Sequence, residues 1–232
     1  MELEVYVIHC RRLRERRVAM ARALAAVGRS AVWVEQHDPP LDRSVLDRVR
    51  EPRLTPAEVS LYAKHLAALR QAHDRGARWA LVLEDDALLT PEAERQLQRA
   101  LRGIPEDAQL VCIGASARGE VADGRTAVRI ERANRMRTNV AYLVSAGGCQ
   151  TLLGALEHAP IALPIDHAMD RLIEAGTLRA YWSRPALMAH GTVEGTYAHS
   201  LGVGWRERSL RRRLAAKAAQ LLRRGRHALA RR

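Results

Sequence analysis

A run of apolar residues, Trp79-Ala-Leu-Val-Leu, is cut off by three consecutive acids, Glu84-Asp85-Asp86. An unbroken apolar run of this length fits a strand buried on both faces, the pattern of parallel sheets covered by helices. The segment before it opens on Thr55-Pro56-Ala57-Glu58. Thr at the cap, Pro at the first helical position and Glu at the third form a capping box, so a helix is expected from there to about His73. A helix delivering the chain into a buried strand is half of a βαβ unit, and the rest of the chain repeats the theme. Strands are expected near residues 3–9, 31–35, 79–83, 109–113, 128–130, 140–144 and 178–182. Helices are expected near 14–27, 44–50, 55–73, 90–102, 145–158 and from Pro164-Ile165-Asp166 to about 175. This alternation predicts a three-layer α/β domain, helices on both faces of a mostly parallel central sheet.

Charge separates the chain into two parts. The 232 residues carry 38 Lys+Arg against 26 Asp+Glu, a net +12. Residues 206–232 hold ten Arg and Lys217 against Glu207 alone, so +10 of that total lies in the last 27 residues. Two parts are therefore expected: residues 1–205 as a nearly neutral α/β domain and 206–232 as a cationic helical tail. The near-neutral body argues against a nucleic-acid coat. Cys10, Cys112 and Cys149 show no metal or disulfide spacing, which points to buried free thiols in a reducing compartment. The first residues read as a strand, with acids where a secretory signal would carry bases. A cytoplasmic protein is the expectation.

The acids carry the chemistry. In open α/β sheets ligands bind outside the carboxyl ends of strands, which is where Glu84-Asp85-Asp86 falls. Side chains of an extended backbone alternate, so Glu84 and Asp86 are expected on one side and Asp85 on the other. Paired carboxylates make a hard oxygen site for Mg²⁺ or Mn²⁺, and a metal there would bridge a nucleotide's phosphates. A solvated loop is the alternative reading, and acidic pairs after strands also occur in phosphatases and kinases.

Several segments together resemble glycosyltransferase family 25, which includes lipopolysaccharide galactosyltransferases and collagen galactosyltransferases. The resemblance is carried by Leu54-Thr-Pro-Ala-Glu58 with His65-Leu66, then Leu83-Glu84-Asp85-Asp86. Val5-Tyr-Val-Ile with Arg16-Arg17, Ala141-Tyr142-Leu-Val-Ser145, Pro164-Ile-Asp166 and Tyr181 to Pro185 follow in the family's order and extend it over about residues 4–190. His9 stands where the family has Asn, Lys64 where it has Ser, and Arg137-Thr138-Asn139 where it has a small, Gly-rich approach. The resemblance implies a GT-A-like fold and inverting transfer of a hexose, galactose first among them, from a UDP-sugar with a divalent cation. The implied acceptor is a saccharide or lipid-linked saccharide of the cell envelope, such as lipooligosaccharide.

Candidate residues follow from both readings. Glu84 and Asp86 are the metal candidates, and His190, after the last expected strand, is a third because GT-A enzymes often recruit a late His. Asp85 is a candidate for donor ribose or sugar. Asp166, which as a residue after Pro at a helix start would equally serve as a cap, is the general-base candidate. Asp170, one turn later, is its reserve. His65, Arg16 and Glu58 are candidates for substrate contact, each with a structural alternative: a packed helical His, a solvated helix face and the capping box. Tyr142 and Ser145 are expected as packing and a helix start.

The tail places Leu210, Leu214, Ala218, Leu221 and Leu222 along one helical face and most of its cations elsewhere. That is the pattern of a basic amphipathic helix lying on an anionic membrane, so the enzyme is expected at the inner face of the cytoplasmic membrane; RNA binding is the alternative for this segment. Two other functions share these features: a non-catalytic glycosyltransferase-fold protein that binds nucleic acid or a partner through its tail, and a metal-dependent nucleotidyltransferase.

Overall fold

The computed structural model describes residues 3–115, 121–123, 127–136 and 138–197. The basic tail, and with it the expected boundary at 205/206, lies outside the described residues. The chain divides into two units, Met1–His190 and Gly191–Arg232. In the second, the described residues 191–197 form turns closed by Thr196 N–H to the Gly191 carbonyl at 2.8 Å.

The first unit runs β1 (Glu4–Ile8), α1 (Arg14–Ala26), β2 (Val32–Val34), α2 (Arg43–Leu46), α3 (Pro56–Asp74), β3 (Trp79–Glu84), β4 (Ala87–Leu88), α4 (Pro91–Ala100), β5 (Leu110–Cys112), β6 (Arg129–Arg132), β7 (Ala141–Ser145), α5 (Ala146–Leu156), α6 (Ile165–Glu174), β8 (Ala180–Arg184) and β9 (Ala189–His190). Among the described residues, seven strands form one sheet in the order β2-β1-β3-β7-β5-β8-β6. Strands β1, β2 and β3 are mutually parallel, as are β5 and β8. The mostly parallel expectation holds, with two exceptions: β7 runs against β3 and β5, and β6 against β8. A parallel return needs a crossover, usually a helix. Among the described residues no helix lies between Cys112 and Ala141.

Strand alternation sorts the core into two layers. Tyr6, Ile8, Ala80, Val82, Cys112, Tyr142 and Val144 pack with α3, α5 and α6 on one face. Val5, Val7, Leu81, Leu83, Val111, Ala141 and Leu143 pack on the other with Met20 and Leu24 of α1 and Ala93 and Leu97 of α4.

The caps read from sequence are present. Thr55 Oγ1 accepts the Glu58 N–H at 3.2 Å, and Glu58 Oε2 accepts the Thr55 N–H at 2.8 Å. Thr90 caps α4, and Ser145 starts α5 by accepting the Gly148 N–H at 3.2 Å. Gly148 admits no side chain: a Cβ there would lie 2.1 Å from the Gln109 carbonyl oxygen. The bare backbone lets α5 dock against the start of β5.

Candidate active site

The carboxyl ends of β1 and β3 lie side by side, with Ile8 opposite Glu84. β2 lies on one side of β1 and β3 on the other, which is where the strand order reverses and a crevice opens in such sheets. The ladder continues past the strand, with Asp85 N–H bonding the Ile8 carbonyl at 3.0 Å. Alternation then dictates the aim of the first two acids. Ala80 and Val82 face α3, so Glu84 does too. Leu81 and Leu83 face α1, so Asp85 turns that way.

Asp85 is buried and both its oxygens are engaged within the chain. Oδ2 lies 2.7 Å from His9 Nδ1, and Oδ1 accepts from Arg16 Nη1 at 2.9 Å. The same Arg16 nitrogen lies 3.5 Å from Asp86 Oδ2. Arg16 is itself buried, on the apolar stripe of α1 with Met20 and Leu24. Asp85 and Arg16, both expected as substrate contacts, form here an internal clamp that ties β1, α1 and the acidic turn together. Its neighbour Arg17 stacks on Trp33, 3.5 Å from the ring centroid. Lys64 is buried nearby, with its ammonium bonded to the His9 carbonyl and to Asp38.

Glu84 and Asp86 meet His190. Each of the three offers a ligand atom within 4.8 Å of the other two, and His190 Nδ1 lies 3.5 Å from Asp86 Oδ2. His190 arrives through the two-stranded pairing of β4 with β9, which sets it opposite Ala87. The segment leading to it is pinned to the end of β5 by Leu187 N–H to the Ile113 carbonyl at 2.7 Å and Ala115 N–H to the Met188 carbonyl at 2.8 Å. Burial first, and then the Asp86 charge, push the Glu84 carboxyl up to about 8. Two crowded carboxylates and an imidazole are a donor set that a divalent cation would satisfy. The residues present fit such an ion.

Behind Glu84 stands His65. It is 0% exposed, and the structure places it inside the chain against Tyr142 and Glu84. Its Nδ1 lies 2.9 Å from the Tyr142 hydroxyl and its Nε2 3.6 Å from Glu84 Oε1. Burial lowers its pKa to about 3, so the ring is neutral. Asp166 lies in the first turn of α6 without capping it; the cap position is Pro164, and Asp166 Oδ1 accepts the His167 N–H at 3.0 Å. The Asp166 charge is felt at both Glu84 and His65. Asp170 accepts the Met136 N–H, tying α6 to the segment before β7, and burial raises its carboxyl. Glu58 spends its carboxylate on the capping box, the alternative to its expected substrate contact.

The raised Glu84 carboxyl has a measurable effect. Folded protein holds this proton from about pH 4.5 up to about 8, where unfolded chain has released it. Glu84 thus contributes stability below its unfolded pKa that is lost as pH rises toward 8. Metal-free protein should melt lower at pH 8 than at pH 6, and Glu84→Gln should flatten that difference. A thermal melt at the two pH values, with and without the substitution, checks this.

No family model matches this chain. Human procollagen galactosyltransferase 2 is 26% identical over 183 residues, covering 70% of this chain and 29% of that protein. The chain thus spans less than a third of that relative's length. Among solved structures, A197 from STIV aligns at TM-score 0.42 and 10% identity, over 81% of this chain and 83% of its own. CMP:2-keto-3-deoxy-manno-octonic acid synthetase, complexed with CTP, aligns at 0.41 and 17%, over 84% of this chain and 97% of its own. Mannose-1-phosphate geranyltransferase from Thermus thermophilus aligns at 0.33 and 13%, over 78% and 73%.

Proposed function

We propose that this chain is a glycosyltransferase that moves a hexose, galactose foremost, from a UDP-sugar to a saccharide acceptor, with a divalent cation held by Glu84, Asp86 and His190. The observation that carries the reading is the meeting of these three side chains outside the ends of β1 and β3. The likeness to a galactosyltransferase supports it. A bound Mn²⁺ or Mg²⁺ would offset the charge that builds on a departing diphosphate.

The chain's own residues supply the rest. In inverting transfer the acceptor oxygen forms a bond to the anomeric carbon as the bond from that carbon to the diphosphate oxygen breaks. The acceptor's proton needs a base. Asp166 is assigned that role: Oδ1 is held by the His167 N–H, and Oδ2 takes the proton. The Arg16–Asp85–His9 clamp keeps the acidic turn rigid, so Asp86 is presented without reorganisation.

Incubation with UDP-galactose and UDP-glucose, with and without Mn²⁺, tests the proposal. The expected result is cation-dependent release of UDP, increased by a saccharide acceptor. Pyrophosphate release from a nucleoside triphosphate, without UDP-sugar turnover, would reassign the chain to nucleotidyl transfer. Binding without turnover of either would leave a non-catalytic binding protein.

A further inference from the structure

We propose that His65, braced by Tyr142, is a positioning residue that sets the plane of the Glu84 carboxylate for cation binding. The inference rests on the cation reading above and extends it to two residues that touch no ligand. The His65 ring is enclosed between α3 and the sheet, stacked on Tyr142 with centroids 5.7 Å apart and an interplanar angle of 24°. One nitrogen is satisfied by the Tyr142 hydroxyl at 2.9 Å. The other, Nε2, is buried with no hydrogen-bond partner and faces Glu84 Oε1 at 3.6 Å. A buried polar atom left this way is costly, and the Glu84 carboxyl beside it is an acceptor that would relieve it.

The phenol of Tyr142 carries a hydroxyl hydrogen that can be given to Nδ1 at 2.9 Å. With that hydroxyl donating to Nδ1, the ring proton sits on Nε2, on the side of Glu84 Oε1. The terminal torsion of a glutamate is broad, so a small rotation closes 3.6 Å to a hydrogen bond. That bond fixes which way the carboxylate turns toward Asp86 and His190. Groups that orient ligands from behind in this way typically change metal affinity by about 10–100-fold when removed.

Binding of Mn²⁺ alone, followed by calorimetry or by loss of the free-ion EPR signal, tests this on the full chain. His65→Leu keeps an apolar side chain in the space and removes the donor, and should weaken Mn²⁺ by about 10–100-fold. His65→Gln carries an amide N–H to similar reach and should hold affinity within about threefold of wild type. Tyr142→Phe keeps the ring and removes the brace, and should weaken Mn²⁺ measurably with the fold intact. A folded His65→Leu protein that binds Mn²⁺ like wild type overturns the inference and leaves the cation reading standing. If His65→Leu does not fold, unchanged affinity in Tyr142→Phe overturns it instead. Wild-type protein that binds no Mn²⁺ overturns the cation reading, and the inference with it.

Discussion

Asp86→Asn is expected to reduce UDP-sugar turnover by about 10²–10³-fold, the range seen when one charge-stabilising group is removed from an active site. Asp86 is 3% exposed and lies between two cationic or imidazole groups, with Arg16 Nη1 and His190 Nδ1 each 3.5 Å from Oδ2. Asn keeps the shape of the side chain and one acceptor oxygen and removes its charge. The loss should therefore appear in turnover and in Mn²⁺ affinity while the melting temperature moves little. Steady-state kinetics beside a thermal melt separates the outcomes. Turnover and affinity equal to wild type would remove Asp86 from the machinery. A collapse of the melt would show that its charge is structural.

The second large effect is on folding. Arg16→Met leaves the buried Asp85 carboxylate without its guanidinium, and breaking a buried ion pair from one side costs about 3–5 kcal/mol. In a domain of this size that is a fall in melting temperature of roughly 6–20 °C. Adding Asp85→Asn removes the stranded charge, so the double variant should recover most of the loss. Urea unfolding of wild type, both single variants and the double closes the cycle. Losses that simply add would mean that Arg16 and Asp85 are not coupled, despite the 2.9 Å contact.

Much of this arrangement could be read from the chain before any coordinates. The capping box of α3, the apolar run of β3 and the opposite aim of Glu84 and Asp85 follow from local pattern and strand alternation. The burial of Arg16 was legible too, since it falls on the i, i+4, i+8 stripe with Met20 and Leu24; the abundance of arginine around it hid the signal. His65 sits likewise among Tyr62, Leu66 and Leu69 on the buried side of α3. His9 and Tyr142 gave no such sign. Their partners are 76 and 77 residues away, and only strand order brings them together. The antiparallel course of β7 was hidden for a related reason, because its apolar pattern is that of any strand buried on both faces. The β4–β9 pairing was beyond reach: two residues a side carry no periodicity.

That small pairing gives the site a property in time. The ribosome delivers Glu84 and Asp86 well before His190, which stands at the last position of the first unit. The seven described strands of the main sheet all precede it, the last ending at Arg184. Because His190 follows that strand by only six residues, the cluster of Glu84, Asp86 and His190 is complete only when the end of the first unit has docked beside the acidic turn. The last member of the cluster is thus the last to be made, after every described strand of the sheet that carries the other two.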